Sequence, residues 1–168
     1  MTTKRATIQE MEDILFLEQL HFGREGHRPE VREAYEFVLD HGEVTLAYNG
    51  HQPTGMLALL PVREMMENES RMLALPAESL LRRRYERGDF RRYEEYVLVH
   101  TFVANPPSHD LRSKFQNQKR LMGFVYEGDE DALKFYERIG CILAGRVENP
   151  LSPGKRDYVL TYERDRNL

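Results

Sequence analysis

The segment Gly128–Gly140, GDEDALKFYERIG, constrains the fold more tightly than any other stretch of the sequence. Its apolar residues follow the i, i+3, i+4, i+7 spacing of one helix face: Ala132, Phe135, Tyr136 and Ile139. Asp129 or Glu130 suits the helix start, where the helix dipole favours negative charge. Gly140 suits a left-handed C-cap. The pattern predicts a short amphipathic helix that is followed directly by an apolar strand.

This segment resembles the last conserved helix of the GNAT superfamily of acyl-CoA-dependent N-acyltransferases, whose motif runs Asn-x-x-Ala-x-x-x-Tyr-x-x-x-Gly-Phe. Ala132, Tyr136 and Gly140 match the motif, with Asp129 in the asparagine position and Cys141 in the phenylalanine position. In that family the tyrosine lies beside the thiol of coenzyme A and can protonate the leaving thiolate. The resemblance therefore implies this catalytic role for Tyr136, and donor contact for Asp129. From the helix alone, a tyrosine on an apolar face is more often a core residue whose hydroxyl finds a partner.

Size and composition favour one soluble globular domain spanning residues 1–168. The chain is 40% apolar and 31% charged, with a net charge of −4, so nothing draws it to nucleic acid or an anionic membrane. No apolar run approaches the roughly 20 residues that span a bilayer. The single cysteine, Cys141, suits a reducing compartment, and we expect a cytoplasmic protein.

The N-terminal half predicts a strand, two helices and a hairpin, which is also the order in which the GNAT fold begins. A strand is predicted at Lys4–Ile8, followed by a helix capped by Thr7 and Glu10, whose apolar stripe is Met11, Ile14, Leu15, Leu17 and Phe22. A loop at His21–Arg28 then leads to a second helix from Pro29 to Gly42. The hairpin consists of strands Glu43–Tyr48 and Gly55–Val62, joined by Asn49-Gly50.

Residues 63–93 interrupt this order, because the family usually joins its third and fourth strands by a short turn. Pro76–Arg87 predicts a helix within this insertion. Six arginines cluster there: Arg82, Arg83, Arg84, Arg87, Arg91 and Arg92. The cluster is either a solvated face with ion pairs or a binding surface for phosphate or carboxylate.

Glu95–Val103, EYVLVHTFV, is the strongest predicted strand and suits a central position. It resembles the fourth GNAT strand, whose backbone pairs with the pantetheine arm, and this implies that role for Phe102 and Val103. The family then carries a glycine-rich loop that cradles pyrophosphate. Here no glycine occurs between Pro106 and Met122. Either Arg112 and Lys114 replace those contacts as charges, or donor binding is impaired.

A fifth strand is predicted at Arg120–Tyr126, and a final pair at Cys141–Val147 and Asp157–Arg164. The predicted fold is α/β (α+β) and GNAT-like. It is a mixed, mostly antiparallel sheet of about seven strands, splayed between strands 4 and 5, with helices on both faces. In many relatives the terminal hairpin helps to form a dimer, and the resemblance implies a homodimer here.

Acyl transfer to an amine needs a base that removes a proton from the amine. Glu95 and His100 are equal candidates, with Glu94 beside them. The alternatives are a surface ion pair for Glu95 and a hydrogen-bonded core residue for His100. The six histidines show no metal-ligand spacing, so no metal is expected.

The sequence thus favours an N-acyltransferase, with acetyl-CoA or another acyl-CoA as co-substrate and a small-molecule or peptide amine as acceptor. Two alternatives stay open. One is a non-catalytic GNAT-fold binding or regulatory protein with an impaired CoA site. The other is an acyltransferase that takes its donor from an acyl-carrier protein, which would dock on the arginine cluster.

Overall fold

The computed structural model describes residues 1–23 and 29–167, except for the side chain of Asn167. The strands are β1 (Thr2–Arg5), β2 (Glu43–Asn49), β3 (Gln52–Pro61), β4 (Val97–Ala104), β5 (Arg120–Tyr126), β6 (Ile142–Glu148) and β7 (Arg156–Glu163). The helices are α1 (Met11–Phe22), α2 (Pro29–His41), α3 (Val62–Glu67), α4 (Glu69–Leu73), α5 (Leu80–Glu86), α6 (His109–Gln116) and α7 (Glu130–Arg138). Short 3-10 turns lie at Ile8–Glu10, Arg91–Tyr93 and Arg164–Asn167.

In the described part of the chain the strands form one seven-stranded sheet in the order β1-β2-β3-β4-β5-β7-β6. All neighbouring strands are antiparallel except β4 and β5, which run parallel and pair only at Val97–Leu121 and Leu98–Met122. The predicted mixed, mostly antiparallel sheet and its splay between strands 4 and 5 are therefore confirmed. The final strand β7 inserts between β5 and β6, and it pairs with the whole length of β5.

Two apolar cores cover the two faces of the sheet, and alternate residues of β3 divide between them. Met56 and Ala58 face the core under α1 and α2, whereas Leu57 faces the core under α6 and α7. The first core buries residues of both N-terminal helices: Ile14, Leu17, Tyr35, Phe37 and Val38. The second buries Leu111, Phe115 and Ile139. The prediction of helices on both faces is confirmed.

The first strand ends at Arg5, earlier than the predicted Ile8, because Thr7 already caps the 3-10 turn that leads into α1. The predicted capping box is confirmed, since the Thr7 backbone N–H donates to Glu10 at 2.7 Å. The apolar stripe is buried as far as Leu17, but Phe22 is exposed. The helix ends at Gly23, whose φ is +63°. The predicted loop His21–Arg28 is wrong at its first two residues, which belong to α1, and residues 24–28 lie outside the described residues.

Glu10 makes the start of α1 sensitive to acid. The pKa of its carboxyl is lowered to about 2, chiefly by the hydrogen bond from the Lys4 ammonium and then by the Thr7 backbone N–H. A carboxyl whose folded pKa is depressed stabilises the fold above its unfolded pKa, and that contribution is lost as the pH falls through the folded pKa. We expect Glu10→Gln to lower the free energy of unfolding by about 0.5–2 kcal/mol at neutral pH, as for a lost N-terminal cap. Urea unfolding near pH 2 should show almost no difference between the two proteins, so an equal loss at both pH values would contradict this role.

Helices α3, α4 and α5 fill the interval between β3 and β4. The predicted helix Pro76–Arg87 is confined to Leu80–Glu86. The two preceding helices were missed because six and five residues are too few for a periodic apolar pattern.

The arginine cluster divides into buried and exposed members. Arg82 pairs with Glu86 at 3.0 Å, and Arg87 approaches Glu148 at 3.5 Å, both as surface ion pairs. Arg84 instead is only 3% exposed and binds the buried Asp157 of β7. The expectation that the cluster is a solvated face or a ligand-binding surface is therefore wrong for Arg84.

Candidate active site

A cleft opens where β4 and β5 diverge. Beyond the Leu98–Met122 pair, Gly123 of β5 comes beside Val99 of β4. A Cβ built on Gly123 would lie 3.6 Å from both the Cβ and the carbonyl oxygen of Val99. The glycine therefore leaves the apex of the splay unfilled, where a larger side chain would close it.

The cleft is narrow, with a volume of about 20 Å³, which is room for roughly one water molecule. Residues from β4, β5, β7, α6, α7 and the residue before β6 line it, among them Val99, Phe115, Val125, Tyr136, Cys141 and Tyr162. The walls are apolar and aromatic, and the few side-chain polar groups are the two tyrosine hydroxyls and the thiol. Such a lining suits a slender apolar group with a polar reaction centre at one end.

Tyr136 projects into this cleft from α7. Its ring packs near Phe102 and Phe115, with centroid distances of 6.5 and 6.2 Å. Its hydroxyl makes no hydrogen bond within residues 1–23 and 29–167, unlike that of Tyr162, which donates to the Gln116 carbonyl at 2.9 Å. Burial raises the pKa of Tyr136 well above its usual range. The hydroxyl is therefore protonated at neutral pH and able to donate to a group in the cleft.

Both ends of α7 carry the residues that were predicted to cap the helix. The Asp129 carboxylate accepts from the Ala132 backbone N–H at 3.1 Å and so caps the helix. Gly140 has a φ of +105°, the left-handed region in which glycine is favoured. The predicted donor contact of Asp129 stays a prediction, while the capping bond is a structural role that its carboxylate already has.

Cys141 follows α7 and lies at the cleft wall. It is 7% exposed, and burial raises the pKa of its thiol to about 12. A thiol with so high a pKa is almost entirely protonated at neutral pH, and the thiolate is the nucleophilic form. Cys141 therefore contributes surface to the cleft and does not act as a nucleophile.

Glu95 lies just before β4, and its side chain is 66% exposed. Its carboxylate accepts from the Arg63 guanidinium at 2.8 Å, and Glu94 lies 3.9 Å from the same arginine. The structure therefore places Glu95 in the surface ion pair that was the alternative to catalysis. It is not on the wall of the cleft.

His100 occupies a β-bulge. The register pairs Leu59 with Val99 and Ala58 with Thr101, which leaves His100 as the extra residue of β4. Bulges recur next to active sites, because the added residue re-aims the side chains around it. Here the bulge places His100 and Thr101 on the same face of the sheet. The His100 ring packs edge-on against Tyr35 of α2, with a centroid distance of 4.8 Å.

His100 and Tyr136 therefore approach the splay from opposite faces. Val99, next to His100 in the chain, lies at the apex and belongs to the core under α6 and α7. His100 turns the other way, toward α1 and α2, and it does not line the cleft itself. A group threaded between β4 and β5 would meet Tyr136 on one side and the half-buried His100 near the other.

Sequence reasoning missed three polar residues behind His100. Thr101, Tyr35 and Glu18 are all buried, and hydrogen bonds connect them to one another. One signal could have found Glu18. It lies three and four residues after Leu15 and Ile14, inside the apolar stripe of α1, where a carboxylate needs buried partners.

The predicted pantetheine strand offers an open backbone edge. Phe102 and Val103 pair with Leu57 and Met56 of β3, while the pairing of β4 with β5 has already ended at Leu98. The Phe102 ring stacks on Phe115 at 5.3 Å and adds an aromatic wall beside Tyr136. An extended ligand in the splay could thus add hydrogen bonds along β4 in the manner of an extra strand.

The segment after β4 forms the short helix α6. Ser108 caps α6 by accepting from the Leu111 backbone N–H at 3.3 Å. Lys114 pairs with Glu43 of β2, and burial lowers the pKa of its ammonium. Arg112 is exposed and has no ion pair within the described residues. Of the two basic groups predicted to meet phosphate, Arg112 is open to solvent, and the charge of Lys114 is already compensated.

The described residues contain no group of three His, Cys, Asp or Glu side chains placed to hold a metal ion. They also contain no helix that is both long and apolar enough to cross a membrane.

No family model matches the sequence, and no curated protein matches it. Solved structures do match the fold along nearly the whole chain. One is an acetyltransferase of the GNAT family from Bacillus cereus, with a TM-score of 0.62, 13% identity, and coverage of 97% of this chain and 96% of that one. Another is the aminoglycoside 6'-N-acetyltransferase from Enterococcus faecium, with a TM-score of 0.61, 11% identity and coverage of 98% and 97%.

A third is Arabidopsis thaliana Naa50 in complex with the bisubstrate analogue CoA-Ac-MVNAL, with a TM-score of 0.58, 16% identity and coverage of 97% and 99%. At these identities the likeness concerns the fold alone. The splayed seven-stranded sheet and these neighbours agree: the chain has the fold of the GNAT N-acetyltransferases.

Proposed function

We propose that this protein is an N-acyltransferase that moves an acyl group, most simply acetyl, from acyl-CoA to a primary amine. The observation that carries the proposal is the cleft between β4 and β5, into which Tyr136 presents a protonated hydroxyl without a structural partner among the described residues. A core tyrosine would have a hydrogen-bonded hydroxyl. The neighbours of similar fold include acetyltransferases that act on aminoglycosides and one bound to a CoA–peptide analogue.

In the proposed reaction, the amine loses a proton and its nitrogen attacks the thioester carbon. The tetrahedral intermediate then collapses as the C–S bond breaks, and the leaving thiolate takes a proton. Tyr136 donates that proton, because it lies in the cleft that would hold the thiol end of the donor. His100 accepts the proton of the amine from the α1–α2 face. Glu95 is the weaker candidate base, since Arg63 holds its carboxylate in an exposed ion pair.

The donor lies along the open edge of β4 at Phe102 and Val103, and Arg112 is the basic group closest in sequence that is exposed to meet its phosphates. The acceptor is a small-molecule or peptide amine, as for the neighbours of similar fold. We propose a cytoplasmic location, which suits the single buried thiol. A homodimer is proposed through the terminal hairpin, where the edge strand β6 carries the exposed Ile142 and Leu143.

One observation favours a second candidate, a GNAT-fold binding protein without catalysis. The segment before α6 lacks glycine, and Lys114 already has a carboxylate partner, so few groups are left for pyrophosphate. A donor from an acyl-carrier protein has less support, because Arg84 of the supposed docking cluster is internal.

Calorimetric titration with acetyl-CoA tests the proposal, with Gly123→Leu as the decisive variant. We expect the wild type to bind in the micromolar to millimolar range usual for enzyme substrates. The Gly123→Leu side chain would enter the apex beside Val99 and weaken binding by about tenfold or more, the effect of 1.4 kcal/mol or more of steric exclusion. Gly123→Ala is the matched control, because its Cβ would make only ordinary 3.6 Å contacts.

A screen of amine acceptors with acetyl-CoA and longer acyl-CoAs completes the test. Turnover that depends on Tyr136 supports the enzyme. Absence of binding heat and of turnover with every donor would overturn the proposal and leave the non-catalytic candidate.

A further inference from the structure

We propose that Glu18, Tyr35 and Thr101 form a buried hydrogen-bond chain that holds His100 as the tautomer with its proton on Nδ1 and its lone pair on Nε2. The three are positioning residues for the base of the acyl transfer. The catalytic half of this inference rests on the proposed function, whereas the tautomer is a property of the folded protein and can be measured without any substrate.

The chain is continuous in space although its residues lie far apart in sequence. The Tyr35 hydroxyl donates to Glu18 Oε2 at 2.6 Å and lies 2.7 Å from Thr101 Oγ1. Thr101 Oγ1 in turn lies 2.9 Å from His100 Nδ1. Glu18, Tyr35 and Thr101 are 4%, 1% and 5% exposed. The chain therefore runs from a buried carboxylate on α1, across α2, to the bulge on β4.

The bonding capacity of each group sets the direction of the chain. A hydroxyl has one proton to donate, and the proton of Tyr35 goes to Glu18. In the 2.7 Å contact, Tyr35 must therefore accept the proton of Thr101. Thr101 has then no proton left for His100, so its oxygen accepts from Nδ1–H. In the neutral ring the lone pair then belongs to Nε2.

This direction has a consequence for proton transfer. When an amine gives its proton to Nε2, the imidazole becomes an imidazolium with protons on both nitrogens. The Nδ1–H bond to Thr101 is kept, and the chain behind it leads to the Glu18 carboxylate. Hydrogen bonds in such a chain polarise one another, so the carboxylate stabilises the imidazolium through two hydroxyls. The amine nitrogen then attacks the thioester carbon, and Tyr136 gives its proton to the departing thiolate.

The position of the bulge argues that the chain serves His100. Without an extra residue in β4, residues 100 and 101 would alternate across the sheet, and only one of them could face α2. The bulge brings both to the same face, so that Thr101 can bond Tyr35 and His100 at once. The cost of burying a carboxylate and two hydroxyls is offset only while every link is made.

Nitrogen NMR of the ¹⁵N-histidine-labelled protein tests the tautomer directly, with His100→Gln to assign the signal. In the wild type we expect the neutral ring of His100 to show a protonated Nδ1 and an unprotonated Nε2. Thr101→Val removes the acceptor at nearly constant volume and is expected to release this preference. Thr101→Ser keeps the hydroxyl and should preserve it. A wild-type ring protonated at Nε2, or an unchanged tautomer in Thr101→Val, would overturn the proposal.

Kinetics tests the positioning role. Thr101→Val and Tyr35→Phe should each lower kcat by about tenfold or more, with little change in KM for the donor. This loss is smaller than the roughly 10²–10⁴-fold rate contribution of a complete general base, because His100 itself is kept. Thr101→Ser should restore kcat. Thermal melting confirms that each variant is folded. An unchanged kcat in both variants would overturn the positioning role. If the wild type transfers no acyl group, both the proposed function and the catalytic role of His100 are wrong. The tautomer of His100 is then decided by the NMR result alone.

Discussion

Replacing Arg84 by alanine is expected to lower the free energy of unfolding by about 3–5 kcal/mol at neutral pH, as when one partner of a buried ion pair is removed. The Arg84 guanidinium binds Asp157, lies 3.6 Å from Asp89, and sits 3.9 Å above the Phe124 ring. Its own pKa is lowered, chiefly by burial. The variant would leave two carboxylates in an apolar setting with no cation between them. Chemical denaturation measures the loss.

The pH dependence of this loss separates charge from packing. Burial already raises the pKa of Asp89, and without the Arg84 guanidinium, which opposes that rise, the pKa of Asp89 should rise further. A group with a raised folded pKa favours the fold below its unfolded value, and this contribution is lost as the pH rises through the folded pKa. The penalty of Arg84→Ala should therefore be smaller near pH 4 than at neutral pH. A penalty independent of pH would assign the effect to lost packing.

Arg87→Ala is the matched control, at the residue that follows α5. Arg87 also contacts the C-terminal hairpin, through Glu148 at 3.5 Å, but the two side chains are 35% and 53% exposed. Exposed ion pairs contribute about 0–1 kcal/mol to the free energy of unfolding, so Arg87→Ala should lower it only slightly. Arg84→Met combined with Asp89→Asn and Asp157→Asn should recover part of the loss, because no unpaired charge stays buried.

Tyr136→Phe is expected to lower kcat by about 10²-fold or more, the lower end of what a general acid or base contributes. The reason is loss of the proton that the leaving thiolate takes. KM for the donor should change little, since the ring that lines the cleft is kept. Stability should also change little, because no hydrogen bond of the hydroxyl is lost within the described part of the chain.

Tyr162→Phe provides the comparison within the same cleft. The Tyr162 hydroxyl donates to Gln116, so its removal should cost about 1 kcal/mol of stability and leave kcat nearly intact. Steady-state kinetics and thermal melting of the two variants distinguish a catalytic from a structural hydroxyl. If Tyr136→Phe retained full kcat while Tyr162→Phe lost it, the roles assigned to the two residues would be wrong.

Local sequence patterns predicted the helices and strands that are long or that have clear capping residues at their ends. The helix Glu130–Arg138 and the strand Arg120–Tyr126 follow from short-range spacing and capping chemistry. The turn predicted at Asn49-Gly50 is displaced by one residue, because Asn49 still pairs with Gln52 and the turn lies at Gly50 and His51. The two short helices before residue 76 escaped prediction, because one or two turns carry no periodic signal. The splay itself was expected only from the resemblance to GNAT proteins.

The candidate site was predicted only in part. Tyr136 lines the cleft and its ring lies 6.5 Å from that of Phe102, while the roles of both residues toward a donor stay predictions. Glu95 and Lys114 were predicted as reactive or phosphate-binding groups, yet both have ion-pair partners, Arg63 and Glu43, from distant segments. The sequence pattern around a charged residue does not reveal its ion-pair partner when that partner comes from a distant segment of the chain.

Local sequence patterns predict the order of the strands and of the helices other than α3 and α4, the caps of α7, and the apolar faces that form the two cores. Those properties depend on neighbours within a few residues, which a linear pattern records. The burial of the Arg84 cation and the bulge of β4 at His100 follow instead from the tertiary fold. It alone brought Glu18, Tyr35 and Thr101 into one chain. These depend on strand register and on contacts between segments up to 73 residues apart, and a shift of one residue in register would move each side chain to the other face of the sheet.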